Sequence, residues 1–331
     1  MRFSVITPWF IESIWALITV LDLWEWDEIV CSPFADYALY DALEKAWVTV
    51  KIHDCQKETG QVLPEDITRY VTQHTKLVIV THHRWNIIDI PSIRQVIHKH
   101  TLIIEDCSYA HGASISIDNT KQMVWTLWDV ALFWLQYEKL IYTGQWAILV
   151  TNNRLIVDCV KQLFINSYQA IHAPQGSVFS QKYYLSPLHA ILWKYALRKY
   201  TYTRQGSDKC LAYFRERLSI VSYLSFVAWS NEWYTQSSWY GFVLQYNQKH
   251  LRKLPLSWLI TLLASEWVEV RCADDSIIEC LSDKGQLQDH NAYDISKSLL
   301  YLPSFYDRYD HKDVIDQYIA AFRKIQLNLF C

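Results

Sequence analysis

The feature that most constrains this chain is an alternation in its first half. Four short runs rich in β-branched residues, "DEIVCS" (27–32), "VTVKIHD" (48–54), "KLVIVTHH" (76–83) and "TLIIED" (101–106), read as strands. Between them lie helical patterns, "YALYDALEKA" (37–46), "PEDITRYVTQH" (64–74) and "PSIRQVIHKH" (91–100). Strand, helix and strand at this spacing predict a mostly parallel sheet with helices on its faces, because parallel neighbours need a crossover long enough to hold a helix. Asp89, two residues ahead of Pro91, predicts a helix cap followed by a first-turn proline. In sheets of this kind ligands sit beyond the carboxyl ends of strands, which directs attention to His82, His83, Asp106 and the loop after it. From about residue 180 the pattern changes to one long helix over 186–205, the runs "GFVLQYN" (241–247) and "PLSWLITLLASEWVEVRCA" (255–273), and a closing helix over 311–325. The expectation is a large α/β domain over 1–178, followed by a long helix and a small α+β domain over 179–331.

Charge and cysteine usage narrow the function classes. A net charge of −3 gives no electrostatic footprint for nucleic acid or another polyanion. Eight cysteines without a CxxC pair imply neither a zinc site nor a disulfide framework, so a reduced, cytoplasmic setting is expected. The apolar N-terminal stretch is interrupted by Glu12 and Asp22, so it is expected to be an internal helix rather than a membrane segment. No GxGxxG follows a strand, even with tryptophan read as glycine, which weakens a generic dinucleotide-binding reading. One count is out of range. Glycine is 7 of 331, about 2%, against a usual ~7%, while tryptophan reaches 16. Together they make up about 7% of the chain, as if one population were split between two letters.

"IIEDCSYAHGA" (103–113) ends a strand with two acids and a loop. By spacing alone Asp106 suits a pyridine-nitrogen partner, a metal ligand or a helix cap, and Lys139 in "EKLIYTGQWAILVT" suits a surface charge as well as a catalytic amine. Taken together, "IIEDCSYAHGA" and "VWTLWDVALFWLQYEKLIYTGQWAILVTNN" (124–153) resemble the DegT/StrS family of sugar aminotransferases, a branch of the fold-type I pyridoxal-phosphate enzymes. Family members carry a stretch like "IEDAAQAHGA" and then "GTFGDVACFSF…K…GEGGAVVTN". Further blocks follow in order. "LDLWEWDEIVCSPF" (21–34), "KAWVTVKIHD" (45–54), "THHRWNIIDIPSI" (81–93), "LSPLHAILWKYALRK" (185–199) and "ASEWVEVR" (264–271) are each similar to a family segment. The family's N-terminal arm has no counterpart in this chain.

In this alignment Trp24, Trp26, Trp47, Trp85, Trp125, Trp128, Trp146, Trp193 and Trp267 fall at or within a residue of family glycines. Such glycines supply positive φ or close backbone approach, and an indole does neither cheaply. The reading that explains both counts is a gene whose UGA codons mean glycine but were translated as tryptophan. A genuinely tryptophan-rich, degenerate paralogue is the alternative.

The resemblance implies a fold-type I transferase binding pyridoxal 5'-phosphate. Lys139 would anchor the cofactor and shuttle the proton, and Asp106 would pair with the pyridine nitrogen. A lysine rather than the histidine of the family's dehydratase branch implies an aminotransferase. The supporting positions depart from the family. Its phosphate-holding serine is Trp134, and its Gly-Thr phosphate loop falls at Trp9-Phe10, with Thr7 and Ser13 nearby. Its glutamine is Tyr109, and the asparagine that reaches in from a partner subunit is Lys182. Phe34 and Tyr37 flank the position of the cofactor-stacking aromatic near Asp36, and His82 matches a family histidine. A metal at His82 and His83 is not favoured, for want of a third ligand at a sensible spacing. The implied partners are a glutamate-like amino donor, a nucleotide-linked keto-sugar and a second copy of the chain sharing its active sites. The competing reading is a non-catalytic member that keeps the fold and binds a sugar nucleotide or a protein.

Overall fold

A computed structural model describes residues 2–83, 87–117, 119–136, 139–165, 185–227, 234–236, 242–272, 276–303 and 311–330. The chain begins with β1 (Phe3–Thr7) and α1 (Phe10–Val20), followed by β2 (Glu28–Cys31), α2 (Tyr37–Lys45), β3 (Thr49–Ile52), α3 (Pro64–Thr68), β4 (Thr75–Thr81), α4 (Ile90–Val96) and β5 (Leu102–Asp106). Then come β6 (Ser114–Ile117), β7 (Thr120–Met123), β8 (Val130–Trp134), β9 (Ala147–Thr151), α5 (Arg154–Ile165) and α6 (Pro187–Leu218). The chain closes with β10 (Leu224–Phe226), β11 (Tyr234–Gln236), β12 (Phe242–Tyr246), α7 (Leu256–Ser265), α8 (Ile277–Asp283), α9 (Asn291–Ser296), β13 (Leu299–Leu302) and α10 (Lys312–Phe330).

Seven strands form the main sheet in the order β1-β9-β8-β5-β4-β2-β3. All neighbours pair in parallel except β9, which runs antiparallel to both β1 and β8. Strand alternation sorts the core. Ile29, Cys31, Leu77, Ile79 and Ile104 face the layer of α1, α2 and α5. Their chain neighbours Val30, Val78, Val80 and Ile103 face α3 and α4. Both faces are therefore covered, which is why these strands read as continuous apolar runs.

A second core is built from the C-terminal half of α6 (Leu211, Phe214, Leu218), the antiparallel sheet β10-β12-β13, α7 and α10. The opposite face of β12 and β13, through Val243 and Tyr301, packs into the α3/α4 layer of the first.

Local chemistry explains most boundaries. Asp89 caps α4 by accepting the Ser92 N–H at 3.2 Å, with Pro91 in the first turn, as expected. Asp36 caps α2 in the same way through the Ala38 N–H. Three expectations change. The N-terminal stretch holds an edge strand, β1, before its helix. The helix expected over 64–74 stops at Thr68, where Thr72 and Thr75 turn their hydroxyls onto Glu28 and close the loop into β4. The long helix continues to Leu218, 32 residues and about 48 Å at 1.5 Å per residue.

The tryptophans divide. Trp47 and Trp267 sit at φ 61° and 63°, in the left-handed region, and are 80% and 91% exposed. Trp267 ends α7 in a Schellman turn: its N–H bonds the Ala264 carbonyl at 3.1 Å, and the Val268 N–H bonds the Leu263 carbonyl at 3.0 Å. That is the position where glycine is usual, because a Cβ there is strained. Trp24, Trp26, Trp125, Trp128, Trp146 and Trp193 do not have positive φ. Trp85 lies outside the described residues.

Candidate active site

The carboxyl ends of β4, β5 and β8 gather the candidate residues at one end of the main sheet. Asp106 is the last residue of β5 and is almost wholly buried. Its Oδ1 accepts the Ser108 N–H at 3.0 Å, and its Oδ2 faces the Thr81 hydroxyl at 3.4 Å. The Ser108 hydroxyl in turn accepts the Trp134 N–H at 3.3 Å, tying the loop after β5 to the end of β8.

Glu105, one residue back, serves the other side of the strand. Its Oε1 accepts the N–H groups of Leu127 and Trp128, each at 3.1 Å, and its Oε2 lies 3.2 Å from His82 Nε2. Burial raises the Glu105 pKa, and His82 with the two N–H groups opposes the rise. The Ile88 N–H donates to His82 Nδ1 at 3.1 Å, so the imidazole proton sits on Nε2 and is donated to Glu105. Cys107 completes a compact trio with His82 and Glu105, whose ligand-type atoms lie within 4.8 Å of one another. Both imidazole nitrogens and both carboxylate oxygens already have partners, and burial pushes the Cys107 thiol pKa well up. The trio thus works as an internal brace between the loops that follow β4 and precede β8.

Lys139 is 7% exposed. Its Nζ lies 3.4 Å from the centre of the Tyr109 ring and 5.6 Å from that of Trp134. Tyr109 meets His83 edge-on at 5.2 Å, and His83 stacks on Phe34 at 5.6 Å. A chain of rings therefore runs from the lysine to the loop after β2. On the other side Trp134 stacks on Phe10 at 5.5 Å and 19°. Thr7 and Ser13, the nearby hydroxyls, bond to each other at 2.5 Å. Trp9 stands half-exposed at the N-cap of α1 and offers no side-chain cap.

The structure thus brings together Lys139, Tyr109, Trp134, Phe10 and Phe34, with Asp106 joined to Trp134 through Ser108. Tyr37 lies apart, stacked on Tyr40 and accepting a hydrogen bond from Lys284 at 2.7 Å. Lys182 lies outside the described residues. Two residues escaped the sequence reading. His111 is buried and accepts the Ile141 N–H at 3.2 Å; its motif "AHGA" was in plain view, but its partner was not. The Thr143 hydroxyl is buried with no partner among the described residues, and no sequence signal pointed to it.

Residues 13–316 match the family profile of the DegT/DnrJ/EryC1/StrS aminotransferases. The chain belongs to this family. The GDP-perosamine synthase of Vibrio cholerae is 29% identical over 142 residues, 43% of this chain and 38% of that protein. The match therefore spans well under half the length of that relative. Among solved structures, the aminotransferase TlmJ from Streptoalloteichus hindustanus superposes with a TM-score of 0.83 at 15% identity, covering 99% of this chain and 87% of that one. The E. coli GDP-4-keto-6-deoxy-D-mannose-3-dehydratase with bound hydrated PLP superposes with a TM-score of 0.74 at 19% identity, covering 97% and 87%. These likenesses show the fold expected of a fold-type I member. Tested against that cofactor, the two ends of the site behave differently. The buried amine and the buried strand-end carboxylate suit its carbonyl and its ring nitrogen. At the phosphate end, the Phe10–Trp134 stack fills the space beside α1, and the Trp134 indole N–H is buried without a partner among the described residues.

Proposed function

We propose that this chain is a pyridoxal-phosphate-dependent aminotransferase moving an amino group from an amino acid, glutamate in the family's usual chemistry, to a nucleotide-linked keto-sugar. The product would serve amino-sugar and surface-polysaccharide synthesis in the cytoplasm. One observation carries the reading: an amine and a carboxylate, Lys139 and Asp106, are both buried at the carboxyl end of the same sheet. Buried ionisable groups are costly to keep and must be compensated by their surroundings, and they cluster where chemistry uses them. When bound, the cofactor supplies the electron sink for proton removal at the donor's α-carbon. Lys139 Nζ is the group to bond its carbonyl carbon and to carry that proton. Asp106 would hold the ring-nitrogen proton, its geometry set by Ser108 and Thr81. The contacting rings of Tyr109, His83 and Phe34 would shield the amine from water.

Three further parts belong to this proposal. The domain division is 1–178 and 179–331; the presence of a second core supports two units, and the boundary itself lies outside the described residues. The chain works as a homodimer. The first half of α6 exposes Leu188, Ile191, Leu192, Tyr195 and Tyr202 at helical spacing, a stripe suited to a second copy. Finally, the printed tryptophans at glycine positions are glycines in the native protein, a reading supported by positive φ at Trp47 and Trp267.

The test is sodium borohydride reduction of purified protein incubated with the cofactor, followed by peptide mapping. The expected result is a visible absorption band that reduction abolishes, with the cofactor fixed on Lys139 and on no peptide of Lys139→Ala. Folded protein that shows neither band nor label sinks the reading. The Phe10–Trp134 stack favours a second reading, a member that keeps the fold but binds a sugar nucleotide or a protein without catalysis.

A further inference from the structure

We propose that His111 is a positioning residue for Lys139, holding the lysine loop by accepting the Ile141 backbone N–H. The inference rests on the role proposed for Lys139. His111 lies in the loop after β5, and Ile141 follows the lysine by two residues. The Nδ1···N distance is 3.2 Å. A backbone N–H only donates, so Nδ1 must present its lone pair and the ring must be neutral, with its proton on Nε2. Burial first, and then the neighbouring Lys139 ammonium, push the His111 pKa down to about 3, so the ring stays an acceptor at neutral pH. A cationic ring would turn a second donor onto the amide and place two positive charges in one buried space.

Among the described residues the lysine loop also makes backbone bonds from Lys139 N–H to the Gln136 carbonyl at 3.1 Å and from Thr143 N–H to the Leu135 carbonyl at 3.0 Å. Both close the loop on itself, whereas the His111 bond ties it to the loop after β5. His111 is itself fixed. Its ring packs against Phe133 at 5.6 Å, and its carbonyl accepts the Tyr200 hydroxyl of α6 at 3.0 Å. Arg204, one turn along α6, donates to the next carbonyl, that of Gly112. Gly112 has φ +76°, which an L side chain rarely adopts, and a Cβ there would come within 1.4 Å of the Tyr200 oxygen, so any other residue would be strained and would displace Tyr200. The brace thus runs from α6 through His111 to the lysine loop.

Backbone hydrogen exchange at Ile141 in cofactor-free protein tests it, with His111→Leu and His111→Asn compared. Asparagine places an acceptor near the Nδ1 position and leucine places none. The expected result is exchange about tenfold or more faster in His111→Leu and near the natural rate in His111→Asn. Borohydride-fixed cofactor on Lys139 should fall in parallel in His111→Leu alone. If His111→Leu does not fold, His111→Gln, whose acceptor reaches the Nε2 position instead, replaces it with the same expectation. Natural exchange rates in folded His111→Leu, or equal acceleration in the leucine and asparagine variants, overturn the inference. If exchange behaves as expected while no variant nor the natural chain fixes the cofactor, the aminotransferase proposal fails and the His111–Ile141 brace stands.

Discussion

The two ends of the candidate site obey different rules. At the amine end the acids and the lysine have defined surroundings: Asp106 is held by Ser108 and Thr81, Glu105 braces two loops, and Lys139 lies on Tyr109. At the proposed phosphate end the space beside α1 is packed with the rings of Phe10 and Trp134, and the Trp134 indole N–H has no partner among the described residues. An N-terminal helix turn attracts anions only if its N–H groups can be approached. The difference teaches that this chain keeps a buried amine and a buried carboxylate where the family resemblance expects them, while large rings stand where the same resemblance expects a serine and a Gly-Thr pair.

The contrast can be broken or sharpened by experiment. The largest effect is expected at the amine end, where Lys139→Ala should lower transamination by on the order of 10³-fold or more in a steady-state assay, with the fold unchanged by circular dichroism. Asp106→Asn should lower it by about 10²-fold, because the amide cannot hold the ring-nitrogen proton as a carboxylate does. At the phosphate end the sign reverses: the double change Trp9→Gly and Trp134→Gly should tighten cofactor binding about tenfold, read by fluorescence titration. Unchanged or weaker binding there would mean that the aromatic stack belongs to the native site. Smaller still, Trp47→Gly and Trp267→Gly should each raise stability by about 1 kcal/mol in urea melts by relieving left-handed strain. Their controls, Trp24→Gly and Trp26→Gly, lack positive φ and should give no such gain.

A pH series adds a fifth test away from both ends. Burial pushes His53 down to about 4, far below the usual value of about 6.5. The unfolded chain therefore binds a proton that the folded chain refuses between these values. The resulting stability is complete above about pH 6.5 and is lost as the pH falls toward 4. Folded His53→Gln should show a shallower acid slope by about one proton in that window.

The fold was largely legible where burial on both faces forces continuous β-branched runs, as in "KLVIVTHH" and "TLIIED". It was less legible where neighbouring elements share one apolar character. "FSVIT" merged with the helix after it, and only pairing with β9 separates the two. The short α3 was hidden because its stop depends on hydroxyls reaching Glu28, more than forty residues earlier. In the site, Asp106 and Lys139 were legible as letters of a motif. The His111–Ile141 bond was not, because a backbone N–H has no letter and its acceptor lies thirty residues away. Nor does any spacing rule foretell that Phe10 and Trp134 would stack.

The helix α6 has a mechanical consequence. One end carries the exposed apolar stripe, the middle grips the carbonyls of His111 and Gly112, and the far end is anchored by Leu211, Phe214 and Leu218 in the second core. One continuous helix therefore ties the stripe, the loop after β5 and the second core into a single rod, and the weakest point of that rod is the Gly206-Ser207 pair between the grip and the far anchor.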